Sequence, residues 1–275
     1  MLRRRQGFEF GDQAWVRGWL REAYLEGLNL ATRLGGQYRR APAVFRAWAR
    51  AAGAAEVLDL GSGGGGPVAQ LLAAAERDAQ PLPRVVLSDV HPQVALFRRW
   101  QARFGAARLG FRPEPVPADA VPADAPGARC LIAVFHHFAP DLARRVVADA
   151  LRRGGSLFIL EPFQRDARHF LFALLAGPWA YLPAPFAGGR IAWRAVPFML
   201  LLPLAPLMLW WDACASVLRT YRPEEIAAMI PAESHDRVAW EAGALAYGPG
   251  LRATFVRIAP RSGVVDAQNL GPLRS

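Results

Sequence analysis

The sequence predicts an α/β fold, in which a mostly parallel seven-stranded sheet carries helices on both faces and ends in an antiparallel β-hairpin. Two observations predict it. Short apolar runs, typical of buried parallel strands, alternate with helical stretches through the first 160 or so residues. Near the C terminus, residues 237–246 and 251–258 alternate in polarity around Gly248-Pro249-Gly250, which is typical of a hairpin.

Length and composition favour one large domain with an apolar insertion. The chain has 275 residues, and 53% of them are hydrophobic, with the surplus between positions 170 and 211. The formal net charge is +10, and every basic residue is arginine, which favours anionic partners. Cys130 and Cys214 lie far apart without metal-binding spacing, so we expect neither a disulfide nor a metal site.

Residues 1–53 are predicted to form a helical cap ahead of the first strand. A helix over residues 12–34 places apolar side chains at four-residue steps, namely Val16, Leu20, Tyr24 and Leu28. A second helix is predicted from Pro42 to Ala52. The start, Met1-Leu2-Arg3-Arg4-Arg5, is too short for a signal peptide, so a cytoplasmic location is expected.

A buried strand, a glycine-rich turn and a helix follow one another between Glu56 and Ala75. The turn reads Gly61-Ser62-Gly63-Gly64-Gly65-Gly66-Pro67, and its glycines allow positive φ angles and close approach of a ligand. Read as Gly61-x-Gly63-x-x-Gly66, it matches the dinucleotide fingerprint, which is a weak signal alone. Read with Asp59 two residues before Gly61-x-Gly63-x-Gly65, it resembles motif I of the class I S-adenosylmethionine-dependent methyltransferases.

Asp59 favours the second interpretation. A carboxylate in a buried strand is costly without a partner, and the ammonium group of S-adenosylmethionine would supply one. The resemblance covers about residues 10–260 and implies a Rossmann-like sheet. It also implies S-adenosylmethionine as the cofactor, held at this turn by Asp59, Gly61, Ser62, Gly63 and Gly65.

The next two strands are predicted to complete the nucleoside site. Residues 85–87 form a strand ending at Asp89, beside Val90, where a carboxylate can accept hydrogen bonds from both ribose hydroxyls; a helix cap before Pro92 is the alternative. A helix follows from Pro92 to Phe104. The third strand and its loop are predicted within Glu114–Pro122. There the resemblance implies that Asp119, next to Ala120, faces the adenine amino group, with Asp124 as a weaker candidate.

The fourth strand, residues 130–134, ends in Phe135-His136-His137-Phe138, and the fifth, residues 156–160, ends at Glu161. Ligands of open α/β sheets bind at the carboxyl ends of such strands, so Phe135 is expected in the cofactor site. If the chain is still extended, only one of the two histidines can face the cleft. His136, His137 or Glu161 could remove a proton from a methyl acceptor, and structural roles are the alternative.

Nucleic-acid substrates are not expected, despite the charge. The chain lacks the Asn/Asp-Pro-Pro-aromatic tetrad of amino-methylating enzymes after the fourth strand. It also lacks the Pro-Cys nucleophile of cytosine C5 enzymes, because Cys130 follows Arg129 and Cys214 follows Ala213.

Residues 163–222 form a predicted hydrophobic helical insertion after strand five. Two uncharged runs, Phe170–Gly189 and Ala195–Trp211, each approach the roughly 20 residues that span a bilayer. Repeated prolines and arginines at both ends argue against spanning helices. We expect a lid, or a hairpin that dips into the anionic inner face of the membrane, and both favour a hydrophobic small-molecule or lipid acceptor.

The end of the insertion indicates a particular subgroup of this family. Together with Gly65-Gly66-Pro67 and the Phe-His-His-Phe turn, the segment Trp211–Tyr221 resembles a bacterial subgroup of these methyltransferases, although Ala213 stands where a glycine is usual. Asp212, Arg219 and Tyr221 are candidate contacts to the substrate. Residues 223–260 are expected to complete the core, and residues 261–275 to form a flexible tail.

The function predicted from these features is methyl transfer from S-adenosylmethionine to an oxygen, nitrogen or carbon atom of an apolar acceptor. Two alternatives belong to other classes. One is a non-catalytic S-adenosylmethionine-binding adaptor at a membrane surface, and the other is a nicotinamide-dependent oxidoreductase.

Overall fold

The structure is a computed structural model that describes residues 2–152, 155–181 and 204–261, without the side chains of Trp19 and of residues 176–181 and 204–205. The middle of the predicted insertion and the predicted tail from residue 262 lie outside the described residues. The α-helices are α1 Trp19–Gly35, α2 Ala41–Ala51, α3 Gly66–Arg77, α4 Val94–Phe104, α5 Pro140–Arg152, α6 Ala167–Tyr181, α7 Leu204–Arg219 and α8 Pro223–Ala227. The strands are β1 Glu56–Leu60, β2 Arg84–Ser88, β3 Leu109–Phe111, β4 Ala128–Ile132, β5 Leu157–Glu161, β6 Val238–Gly248 and β7 Leu251–Pro260.

The strands form one seven-stranded sheet in the order β3-β2-β1-β4-β5-β7-β6. β1 pairs in parallel with both β2 and β4, while β7 pairs antiparallel with β5 and β6. The predicted sheet and its terminal hairpin are therefore confirmed. The strand order reverses between β1 and β4, and the carboxyl ends of strands at such a point form a crevice where α/β proteins bind ligands.

Successive side chains of the central strands point to opposite faces of the sheet and contribute to two hydrophobic cores, one on each face. On one face, Trp48 of α2 packs on Phe158 of β5, with ring centroids 5.4 Å apart. On the other face, Leu58 of β1 lies in a core with Val146 and Ala150 of α5. Helices on both faces therefore pack on the sheet beneath the crevice.

The position predicted for the third strand was wrong. β3 is Leu109–Phe111, paired with β2 through Leu109 and Val85, and residues 114–122 form a loop instead. The prolines in that loop, Pro115, Pro117 and Pro122, have no backbone N–H to give to a sheet ladder. Val116 and Val121 of this loop are nevertheless buried.

The described parts of the insertion are the helices α6 and α7, which pack on each other and on α1. Ala173 of α6, Leu209 and Val217 of α7 and Tyr24 of α1 share a third small core. The predicted helical insertion is confirmed for these residues. Among the residues that the structure describes, no helix has both the length and the apolar character needed to cross a bilayer.

Candidate functional site

The chain leaves β1 through a turn that favours glycine at three positions. Gly61, Gly63 and Gly65 all have positive φ, at 66°, 55° and 74°. A Cβ atom on Gly61 would lie 2.8 Å from Cγ2 of Val134, and one on Gly65 would lie 3.0 Å from Leu87. This turn, the glycine cradle, therefore has no side chain at these three positions, and it leads into the N terminus of α3, where backbone N–H groups can face a ligand.

Helix α1 lies over this cradle. A Cβ atom built on Gly64 would lie 3.4 Å from Cδ1 of Leu25, and one on Gly66 would lie 2.9 Å from Oδ1 of Asn29. Asn29 also accepts a 2.7 Å hydrogen bond from Nε2 of Gln70 on α3. Helix α1 thus packs against the glycine turn and α3, and a role as a cap over a ligand stays a prediction.

Asp59 lies beneath the turn, buried among neutral donors. Its Oδ2 accepts a 2.6 Å hydrogen bond from the Ser62 hydroxyl, and its Oδ1 is 3.3 Å from Sγ of Cys130. Burial raises the pKa of Asp59 to about 7, and the charge of Asp89 adds to this, although the two donors act in the opposite direction. A cationic group placed beside Asp59 would favour its ionised form.

Asp89 joins the end of β2 to the glycine turn. Its two carboxylate oxygens accept 2.8 Å hydrogen bonds from the backbone N–H groups of Gly63 and His91. The side chain is half-buried, and the neighbouring Val90 is exposed. Each carboxylate oxygen keeps a second lone pair, so the side chain can still accept hydrogen bonds from a diol.

The structure does not bring Asp119 into the same group. It lies in the loop after β3, where its Oδ2 accepts a 2.9 Å hydrogen bond from Nε of Arg145 on α5. None of its contacts within the described residues reaches the glycine turn, and Ala120 beside it is exposed. Asp124, the weaker candidate, forms an ion pair with Arg112. The adenine contact of Asp119 stays a prediction.

The chain turns sharply after β4. The strand ends at Ile132, Ala133 has a φ of 58°, and Phe135–His137 form a 3₁₀ helix. Because the chain is no longer extended, the two imidazoles lie side by side with ring centroids 4.2 Å apart. Phe135 is fully buried and packs on Tyr221, so its side chain belongs to the core under the turn.

His136 and Glu161 form a buried pair at the carboxyl ends of β4 and β5. Nδ1 of His136 lies 2.6 Å from Oε2 of Glu161, and the backbone N–H of His136 donates to Oε1 at 3.1 Å. Both side chains are less than 5% exposed. A carboxylate at Nδ1 favours the tautomer with its proton there, which leaves Nε2 able to accept a proton.

His137 faces two carboxylates from the N-terminal segment. Its Nδ1 is 2.7 Å from Oδ1 of Asp12 and 2.9 Å from Oε2 of Glu9. Burial lowers the pKa of His137, but the two carboxylates outweigh it and raise the pKa to about 10. The protonated imidazole is therefore the stable form at neutral pH, and this position does not favour His137 as a base.

The three residues predicted at the end of the insertion hold the turn and the N-terminal segment. Arg219 donates to the carbonyl oxygen of His137 at 2.8 Å and to Asp12 at 2.7 Å. Tyr221 donates to the carbonyl oxygen of Phe138 at 2.8 Å. They join the insertion to the site, and direct contact with a substrate stays a prediction.

Asp212 holds the N-terminal segment from α7. It accepts 2.8 Å hydrogen bonds from the backbone N–H groups of Phe10 and Gly11 and a 2.7 Å bond from Tyr24. Burial raises the pKa of Asp212 to about 6. Sequence reasoning missed Glu9 and Asp12, because no local pattern connects them to a turn more than 120 residues away.

Comparison with solved protein structures supports the same fold. No protein-family model and no curated protein sequence matches the chain. Among solved structures, the O-methyltransferase NcsB1 from neocarzinostatin biosynthesis, in complex with S-adenosyl-L-homocysteine and 1,4-dihydroxy-2-naphthoic acid, matches with a TM-score of 0.53 and 19% identity. That match covers 92% of this chain and 62% of NcsB1.

A second NcsB1 complex, with S-adenosylmethionine and 2-hydroxy-5-methyl naphthoic acid, matches at a TM-score of 0.52 and 17% identity, covering 93% of this chain and 62% of NcsB1. The structure of TnmH matches with a TM-score of 0.50 and 21% identity, and the match covers 91% of this chain and 62% of TnmH. The chain spans about three fifths of the length of these proteins. Strand order and comparisons agree that it has the fold of class I S-adenosylmethionine-dependent methyltransferases.

Proposed function

We propose that this protein is an S-adenosylmethionine-dependent methyltransferase that methylates an oxygen atom of a hydroxylated small molecule. The observation that carries the proposal is the buried pair of His136 and Glu161, which lies at the same edge of the sheet as the glycine cradle. A base beside the acceptor is needed when a hydroxyl must lose its proton before it is methylated.

The residues of the cradle fit the cofactor. The backbone at Gly63, where only Leu25 lies within 4 Å of an added Cβ atom, is open to close approach of the methionine portion, and Asp89 can accept from the ribose hydroxyls. Asp59 has only neutral hydrogen-bond donors among the described residues, so an ammonium group would complete its surroundings. When bound, S-adenosylmethionine supplies an electrophilic methyl group on a sulfonium sulfur.

The remaining chemistry falls to the chain's own residues. Nε2 of His136 takes the proton of the acceptor hydroxyl, while Glu161 holds the ring through Nδ1 and stabilises the imidazolium that forms. Arg219 fixes the turn by bonding the carbonyl oxygens of both histidines. Most of the acceleration would come from holding donor and acceptor in line in a dry crevice.

Two observations support an aromatic or otherwise apolar acceptor. NcsB1 was crystallised with hydroxylated naphthoic acids, which pair a phenolic oxygen with an apolar ring. In this chain, the insertion exposes large apolar side chains on α6 and α7, namely Leu171, Phe172, Leu174, Leu175, Leu207 and Trp211. The same surface supports a lipid-like acceptor or contact with an anionic membrane surface as the second candidate.

The test is methyl transfer from labelled S-adenosylmethionine to a panel of naphthols, hydroxynaphthoic acids and lipid quinols. His136→Gln and Glu161→Gln are expected to lower kcat by about 10²–10⁴-fold, the usual contribution of a general base. His235→Gln is the matched control, since the side chain of the exposed His235 bonds only the nearby Ile230 carbonyl among the described residues. Calorimetry should show unchanged cofactor binding in all three variants.

Three results would contradict the proposal. Full activity of His136→Gln would show that His136 is not the base. Cofactor binding without transfer to any acceptor would favour the adaptor. Heat of binding with a nicotinamide but none with S-adenosylmethionine would favour the oxidoreductase.

A further inference from the structure

The N-terminal segment and the turn after β4 bring together a cluster of metal-ligating side chains. One carboxylate oxygen of Glu9 and one ring nitrogen each of His136 and His137 all lie within 4.8 Å of one another. In a tetrahedral site with bonds of about 2.0–2.1 Å, ligand atoms lie about 3.3 Å apart. Small side-chain rotations would therefore close this cluster around one ion.

The chemistry of these donors suits a first-row transition metal ion. Two imidazoles and a carboxylate bind Zn²⁺ and its neighbours in preference to Mg²⁺ or Ca²⁺. His136 already has the second partner typical of a ligating histidine, because Glu161 holds its Nδ1 and leaves Nε2 for a metal. Oδ1 of Asp12, 2.7 Å from Nδ1 of His137, can supply a fourth ligand.

Glu9 brings a buried carboxylate to the cluster. The residue is 1% exposed, and its Oε1 accepts a hydrogen bond from Ser216. Its Oε2 lies 2.9 Å from Nδ1 of His137 and 3.1 Å from Nη1 of Arg219, so this oxygen faces two cationic groups. A metal ion that displaced the proton of His137 would take up the same position beside this oxygen.

The charges of the cluster are also unbalanced. Three carboxylates, from Glu9, Asp12 and Glu161, face one guanidinium, from Arg219. With His137 protonated, negative groups still outnumber positive ones by one, and buried charge is costly unless it is compensated. A divalent cation that displaced the proton of His137 would balance the three carboxylates and Arg219.

We infer that Glu9, His136 and His137, with Asp12 beside them, bind a zinc-type divalent cation. The inference stands on this geometry and does not require the proposed methyl transfer. With the ion bound, Nε2 of His136 could not accept a proton, so the metal-loaded protein would be the inhibited form of the proposed enzyme.

The test uses full-length protein without an affinity tag, stripped with a chelator and titrated with Zn²⁺ alone. Elemental analysis after dialysis should find about one zinc per wild-type chain. Glu9→Gln and His137→Asn should bind at least about 10-fold more weakly, since even outer-shell changes cost 10–100-fold. His235→Gln, the control outside the cluster, should bind like wild type.

Absence of zinc from the wild-type chain, or equal binding by Glu9→Gln, His137→Asn and wild type, would overturn the inference. Circular dichroism checks that the variants fold. If they do not, imidazole NMR of the wild-type protein decides: Zn²⁺ must shift the His136 and His137 ring signals and leave that of His235 unmoved. Methyl transfer assayed in the presence of chelator tests the proposed function separately, so either proposal can fail alone.

Discussion

Replacement of Gly61 by alanine should cost the fold more than its backbone angle alone predicts. At a φ of 66°, a residue with a Cβ atom is disfavoured by about 1–2 kcal/mol. The new methyl group would also lie 2.8 Å from Cγ2 of Val134, and overpacking of this kind costs about 1–3 kcal/mol. We expect Gly61→Ala to lower the free energy of unfolding by about 2–5 kcal/mol, the sum of these two costs.

Urea unfolding followed by circular dichroism measures this loss, and Gly53→Ala is the matched control. Gly53 has a φ of 60°, but no described atom lies within 4 Å of a Cβ built there. It should therefore lose only the backbone part, about 1–2 kcal/mol. In a Val134→Ala background, Gly61→Ala should also lose little more than the backbone part, because the methyl groups that its Cβ atom would contact are gone.

Equal losses in Gly61→Ala and Gly53→Ala would refute the reasoning. So would a double variant with no recovery. Either result would mean that the close approach of Val134 is not what requires a glycine at this position.

Three further predictions follow from the same contacts. Without cofactor, the stability of Asp59→Asn relative to wild type should rise by about 3 kcal/mol between pH 5 and pH 8. The reason is that the pKa of Asp59 is raised from 3.8 to about 7, so folded wild-type protein loses stability as the pH rises through this range. Urea unfolding of both proteins at pH 5 and pH 8 measures the difference. Asp89→Asn should weaken S-adenosylmethionine binding at least about 10-fold in calorimetry, since one of the two oxygens that hold the turn and would face the ribose is lost. Arg219→Gln should destabilise the fold by about 3–5 kcal/mol by leaving Glu9 buried without its guanidinium, and a smaller loss on adding Glu9→Gln would show that the pair is responsible; additive losses would contradict it.

The parts of the fold that the sequence predicted are those with local signals. An apolar run followed by glycines and Pro67 specifies β1, its turn and α3 within about 20 residues. The hairpin could be predicted equally well, because Gly248 and Gly250 separate two runs of alternating polarity. β3 was misplaced because the acid that the resemblance implies after the third strand was assigned to Asp119, although three prolines surround it.

The site was predictable only where strands deliver side chains to one edge. Asp59, Asp89, His136 and Glu161 lie at or near the carboxyl ends of their strands, so their placement at one edge of the sheet follows from the topology. The surroundings of His137 depend on an N-terminal segment that no pattern ties to β4. Its charge state therefore required the three-dimensional contacts.

The anchoring of the N-terminal segment has a consequence for biosynthesis. Residues 9–12 are held by Asp212, Ser216 and Arg219, about 200 positions further along the chain. At ribosomal speeds of about 5–20 residues per second, these first residues wait roughly 10–40 s before their partners exist. The cluster that residues 9–12 form with the turn after β4 is therefore among the last parts of the nascent chain to assemble, after the central strands have had time to pair.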